Sequence, residues 1–442
     1  MKKIITVIYT LSFVIGAVSA QSVYDGVKIA DKDLNGTARF VGMGGAMGAL
    51  GGDITTMGTN PAGIGIYRSN DVMTSFSYSA YGMESKYEGQ KSTIDKNRWS
   101  FDNIGVVFAT KIGNQTPLRY VNFGFNYKRS KSFYKNMSMS GMMGVVENPS
   151  NPGSPYYVSQ TNSMALQATD AERYVWDNSR QHLDFDNANR IFSDPDAGWL
   201  GALGYQGGLT ERDRIDNEPD LYVPFLPVEP SSVFNSREKG GIDQYDFNVS
   251  FNINDRVYLG LTIGAYDVDY DKYSGYDESY KRGEGYSLES YNNISGSGFD
   301  VKMGLILRPF EYSPFRIGFA VHTPTFYKLT YSTSAIVTND YRDAKTDELK
   351  RIIVDTYDYV GDMKRDYRLV TPWKYNVSLG YTVGTSLALG AEYEYEDYST
   401  MKFKYSSNDG GGDMEFENAE VKNCLKGEHT FRIGAEYKVI PE

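Results

Sequence analysis

The chain of 442 residues has one cysteine, Cys424, so no intramolecular disulfide framework holds it together. It has three histidines, His182, His322 and His429, which leaves little for imidazole catalysis or metal chemistry. Basic clusters are missing and the formal net charge is -11, which argues against nucleic acid as a partner. After Gln21 no apolar run reaches the roughly 18–20 residues that a spanning helix needs. The phosphate-loop signatures fail as well. Gly42 and Gly44 begin a G-x-G pattern, but Met47 stands at its third glycine, and no lysine lies between Lys32 and Lys86. No G-x-S-x-G elbow is present, and "HLDFDNANR" lacks the glycine and terminal glutamate of a calcium loop, so the chain is read as a non-enzyme with no metal and no cofactor.

What the chain does have begins at its N-terminus. Lys2 and Lys3 precede the apolar run "IITVIYTLSFVIGAV", and small residues stand before Gln21. Residues 1–20 therefore read as a secretory signal peptide. Tyrosine is abundant, at 37 residues. Strict apolar–polar alternation recurs, as in "YDFNVSFNI" (Tyr245 to Ile253) and again in "YVNFGFNYK", "FDVKMGLIL", "YNVSLGYTV" and "HTFRIGAEYKV". Period two is the mark of a strand with unlike faces. Ten strands are expected, at about 71–82, 99–111, 118–131, 241–253, 256–270, 296–308, 315–334, 367–383, 386–405 and 426–439.

Connection lengths separate a soluble sandwich from a membrane barrel. Short turns ("GNQTP", "NDR", "PFEYSP", "GTS") alternate with long polar connections at about 83–98, 133–240, 271–295, 335–366 and 406–425. A barrel with short periplasmic turns and long extracellular loops has this regularity. Tyr245, Tyr258, Tyr266, Tyr375 and Tyr395, near strand ends, fit aromatic girdles. The expected fold is all-β, a transmembrane antiparallel β-barrel over residues 71–442, with a long extracellular loop at about 133–240. Expected lipid-facing residues include Phe247, Val249, Phe251, Leu259, Leu261 and Ile263. The ending "VIPE" lacks a terminal aromatic residue and reads as a barrel cut off between hairpins.

Residues 21–70 contain no comparable strand, yet ten glycines fall between Gly36 and Gly65. A segment packed inside a narrow lumen needs small side chains, so this region reads as a Gly-rich hatch. A signal peptide, then "GTARFVGMGGAMGALGGDITTMGTNPAGIGIYRS", then alternating strands resembles the FadL/TodX-type outer-membrane transporters of long-chain fatty acids and other hydrophobic compounds. The resemblance rests on Asn60, Pro61 and Ala62, preceded by the Gly-rich stretch with Gly44, Gly45 and Asp53. It implies a 14-stranded barrel, of which about ten strands are present, closed by an N-terminal hatch. It also implies a monomer in the outer membrane of a Gram-negative bacterium, with membrane lipid and the barrel assembly machinery as partners. The implied function is uptake of a hydrophobic small molecule by capture at outer loops, passage through a pocket in the barrel and rearrangement of the hatch. Trp199, Leu200, Leu203 and Tyr205 are candidates for substrate capture, or anchors of the long loop on the rim. The rival functions are a haem receptor and a structural or adhesive barrel.

Overall fold

The computed structural model describes residues 23–146, 156–157, 159–194, 196–225 and 230–439. The signal-peptide segment lies outside them. The wall is one antiparallel sheet built from β1 (Asp71–Tyr87), β2 (Gln90–Lys111), β3 (Leu118–Ser132), β4 (Ser231–Ile253), β5 (Val257–Ser279) and β6 (Gly285–Leu307). It continues through β7 (Arg316–His322), β8 (Phe326–Arg342), β9 (Met363–Val370), β10 (Lys374–Val383), β11 (Leu387–Asp397) and β12 (Gly427–Tyr437). The order is β1-β2-β3-β4-β5-β6-β7-β10-β11-β12, while β8 carries on the lane of β7 along the upper half of β6 and pairs β9. Neighbours in space are thus neighbours in sequence, and the ten expected strand positions are all occupied. Among the described residues β1 and β12 are not paired with each other.

Three expected strands are broken, one of them, at 386–405, between Asp397 and Lys402. The lane at 315–334 is interrupted between His322 and Phe326, and the lane at 367–383 between Val370 and Lys374. These two breaks each hold a proline, Pro324 or Pro372, which has no N–H to give a ladder. The two lie side by side, and Thr371 N donates to Thr325 O at 3.2 Å.

The faces are inverted relative to a soluble protein. Phe247, Leu259, Leu261 and Ile263 are exposed, whereas Asn248, Ser250 and Thr262 are buried. Outward positions of β5 run Val257, Leu259, Leu261, Ile263, Ala265 and then turn to Asp267, Asp269 and Asp271. Nine residues at about 3.3 Å each, tilted, match an apolar band about 25 Å tall. Rings mark its upper rim: Phe101 stacks on Tyr127 at 5.6 Å, Tyr127 meets Tyr245 at 5.4 Å, and Tyr395 meets His429 at 4.9 Å. Tyr245, Tyr375 and Tyr395 lie on this outward side. Tyr258 and Tyr266 do not; both are buried on the inner face, a correction to the expected girdle.

The upper strands are longer than expected. Residues 83–98 are a continuous hairpin closed by Glu88 and Gly89, both at positive φ (43° and 83°). Most of 271–295 and 335–366 is also strand. Above the membrane level both faces of these strands are polar or tyrosine-rich, so alternation fades although the ladder continues.

Candidate functional site

Residues 23–70 contain no strand. The chain opens with α1 (Val23–Ala30), which packs with Tyr270, Ile294, Tyr331, Tyr367, Leu369 and Phe403 at the upper inner face. It then descends to two 3-10 turns, Ile54–Gly58 and Pro61–Ile66, before entering β1. Residues 43–66 touch strands from β2, through Ile54 beside Gly105, to β12, through Met43 beside Gly434. So short a segment reaches both ends of the sheet because the sheet curls around it.

Glycines of the wall make that approach possible. A Cβ on Gly124, Gly260, Gly304, Gly390 or Gly434 would collide with Met57, Pro61, Asn60, Ala46 or Met43 respectively. Several of these glycines pair directly across strands: Gly260 with Gly304, Gly380 with Gly390, and Gly390 with Gly434. They form a band at one height on the inner face. Each was visible in sequence as a glycine between apolar residues at a strand centre ("LGL", "MGL", "LGA", "IGA"), but period two alone does not separate a missing side chain from a polar one.

The motif residues all lie in the segment on this band. Asn60 is buried, extended (φ -128°, ψ 99°), and caps the turn that Pro61 begins; its Oδ1 accepts from Ala62 N at 3.2 Å. Its Nδ2 donates to Gly48 O at 2.7 Å, tying the triplet back to the glycine run. Asp53 is buried and caps the preceding turn, accepting from Thr55 N at 2.9 Å and Thr37 Oγ1 at 2.6 Å. Gly44 and Gly45 (φ 61° and 80°) turn the chain after the helical turn Ala38–Gly42, a backbone region costly for other residues. The wall reaches in to hold the same segment: His322 Nε2 lies 2.7 Å from Thr59 O, Ser250 Oγ donates to Pro61 O at 2.9 Å, and Gly48 N donates to Glu392 Oε2 at 3.1 Å.

Above the band the inner face is charged. Lys302 Nζ sits 3.0 Å from Asp246 and 2.8 Å from Asp300, with all three buried. Tyr266 OH donates to Asp300 at 2.6 Å. Lys374 pairs with Glu394 at 3.2 Å and with Glu396, and Arg432 pairs with Glu392 and Glu394 at 3.3 and 3.1 Å. A cavity of about 340 Å³ lies between the second of these clusters (Lys374, Glu392, Glu394, Glu396 and Arg432) and residues 31–35 of the N-terminal segment. Carboxylates, lysines and Arg432 dominate its lining, with Leu34, Phe40 and Tyr398 interspersed among them. The apolar part of the interior lies higher, in the tier that α1 fills.

Trp199, Leu200 and Leu203 belong to the helix Trp199–Gln206 and are buried, with Tyr205 half-buried beside them. They pack on Met164, Ala168, Tyr286, Leu288 and Val337 as the core of a cap above the wall. Trp199, Leu200 and Leu203 are thus turned into the cap rather than out to its surface. His182, the loop histidine a haem receptor would use, lies 2.5 Å from Glu172 and against Trp176.

An apolar outer belt, a polar interior and a chain segment held inside define a membrane-spanning β-barrel wall with its lumen occupied by its own N-terminal region. No family profile and no curated protein matches the chain. Among solved structures it aligns with the Ralstonia pickettii toluene transporter TbuX at 12% identity, covering 92% of this chain and 84% of that one, with TM-score 0.37. It also aligns with the CymD monoaromatic hydrocarbon channel (10% identity, 90% and 78%, TM-score 0.38). A third alignment is with the TodX deltaS2S3 mutant monoaromatic hydrocarbon channel (11%, 92% and 81%, 0.41). No ligand contact is carried across from these proteins.

Proposed function

We propose that this protein takes up small hydrophobic molecules across the outer membrane of a Gram-negative bacterium, with residues 23–70 acting as a hatch. The observation that carries the reading is the seat itself: nine strands, β2 to β7 and β10 to β12, present a small residue or a hydrogen bond to residues 43–66, so the curled wall is built around that segment. The tyrosine and aliphatic tier beneath the cap supplies the apolar surface. An apolar solute gains about 25 cal/mol for each Å² it removes from water, and the tier below, lined mainly by carboxylates and cations, offers less such surface. The solute therefore halts in the upper tier, where α1 is the element it displaces. Because α1 is continuous with residues 31–66, its displacement pulls on the hatch. Long-chain fatty acids and monoaromatic hydrocarbons both fit the chemistry of the tier.

The test is uptake of labelled oleate and labelled toluene by cells that lack their own route, with and without the protein. Accumulation that depends on the protein and is lost on deleting residues 23–30 supports the proposal. Accumulation of neither solute, in cells where the folded protein is present in the outer membrane, overturns it.

A further inference from the structure

We infer that the extracellular cap carries a binding site for a transition-type divalent cation, formed by Glu172, His182 and Asp220. The three residues come from different segments: Glu172 from α2 (Gln160–Ser179), His182 from the turn after it, and Asp220 from the approach to the short strand Leu221–Pro224. One ligand atom of each lies within 4.8 Å of the others. His182 Nδ1 is 2.5 Å from Glu172 Oε1 and 3.7 Å from Asp220 Oδ2. Metal–nitrogen and metal–oxygen bonds of about 2.0–2.2 Å hold adjacent ligands roughly 3–3.6 Å apart, so small side-chain shifts admit an ion.

The surroundings prepare the ligands. Glu172 is fully buried, and its Oε2 accepts from Leu183 N at 2.9 Å, which fixes the carboxylate and leaves Oε1 toward the imidazole. The His182 ring lies against Trp176, with centroids 4.6 Å apart, which fixes the ring plane. Supporting contacts of this kind orient metal ligands. His182 is the exposed member, at 43%, giving an entry path and room for water as a further ligand. Arg212 Nε, 3.6 Å from Asp220, offsets one of the two carboxylate charges, so a divalent ion leaves the group with a single positive charge. An imidazole nitrogen selects zinc, nickel or copper over magnesium and calcium. The ion ties α2 to two later segments and so clamps the cap that covers the lumen.

The competing arrangement is a protonated His182 held between two carboxylates with no metal. Zinc titration of the folded full-length protein in detergent, by calorimetry and by cobalt absorption, distinguishes the two. The expected result is one ion per chain, no competition from millimolar magnesium, and at least tenfold weaker binding in His182→Ala. Glu172→Gln should weaken it similarly, and near-ultraviolet circular dichroism checks that each variant keeps its tertiary packing. No binding by the wild-type protein, or equal binding by His182→Ala, overturns the site.

Discussion

Gly304→Val tests the seat of the proposed hatch most sharply among single substitutions. Gly304 lies mid-strand in β6, paired with Gly260 on one side and Ala320 on the other, and its backbone ladder does not depend on a side chain. A Cβ there would lie 2.8 Å from Ala62 N and 2.9 Å from Pro61 Cδ, with Asn60 Oδ1 nearer still. Ordinary carbon contacts are about 3.5–4.0 Å, so wall and hatch must part by roughly 0.6–1.1 Å before the valine methyls are counted. Overpacking of this kind costs about 1–3 kcal/mol, equivalent to roughly 5- to 150-fold in the ratio of unseated to seated hatch. Conductance in planar bilayers and sensitivity of cells to a bulky polar antibiotic measure that ratio. Both should rise, while heat-modifiable migration on gels stays that of a folded barrel. Gly42→Ala is the control, because a Cβ at Gly42 meets nothing within 4 Å. A Gly304→Val protein that is folded, present at normal level and as tight as wild type would refute the seating argument.

Cysteines placed singly at Phe247, Val249, Phe251, Leu259, Leu261 and Ile263 should react with a membrane-confined probe, and those at Asn248, Ser250, Gly260 and Thr262 should not; equal labelling would reverse or abolish the face assignment. Asn60→Ala removes the donor to Gly48 O and leaves that carbonyl buried and unpaired, at about 1–3 kcal/mol, so leak to polar solutes should rise. Unchanged leak in Asn60→Ala with Pro61→Gly would reduce the triplet to a simple turn. Lys302→Met strands Asp246 and Asp300 and should cost about 3–5 kcal/mol, seen as a lower melting temperature, whereas adding Asp246→Asn and Asp300→Asn should recover much of it. A triple variant no more stable than Lys302→Met would show that the lysine acts through something other than those carboxylates.

The lower wall was legible because period two leaves no freedom once Phe247, Val249 and Phe251 face lipid: register, face and strand order follow together. The upper wall was not, since Asp267, Asp269 and Asp271 occupy the outward positions there and resemble a solvated loop. Pro324 and Pro372 stood in plain view, but their effect depends on neighbouring lanes breaking at one level. The glycines between Gly36 and Gly65 stand out as a run, whereas their counterparts on the wall, Gly260, Gly304, Gly390 and Gly434, do not. Their meaning lies in cross-strand pairing, which no single strand reveals. The charged tier was hidden for the same reason. Lys302, Asp246 and Asp300 alternate correctly on two strands, and only the β4–β5–β6 register brings them together.

The central claim is that residues 43–66 occupy the lumen and must move for a solute to pass. Gly48 and Ser378 face each other across that boundary, with a Cβ on Gly48 falling 3.1 Å from Ser378 Cβ, close to the separation of about 3.5–4.5 Å in disulfides. In a Cys424→Ser background, Gly48→Cys with Ser378→Cys should cross-link on oxidation. Uptake of the labelled hydrophobic solute should then stop and return on reduction. Quantitative cross-linking with undiminished uptake would contradict the account.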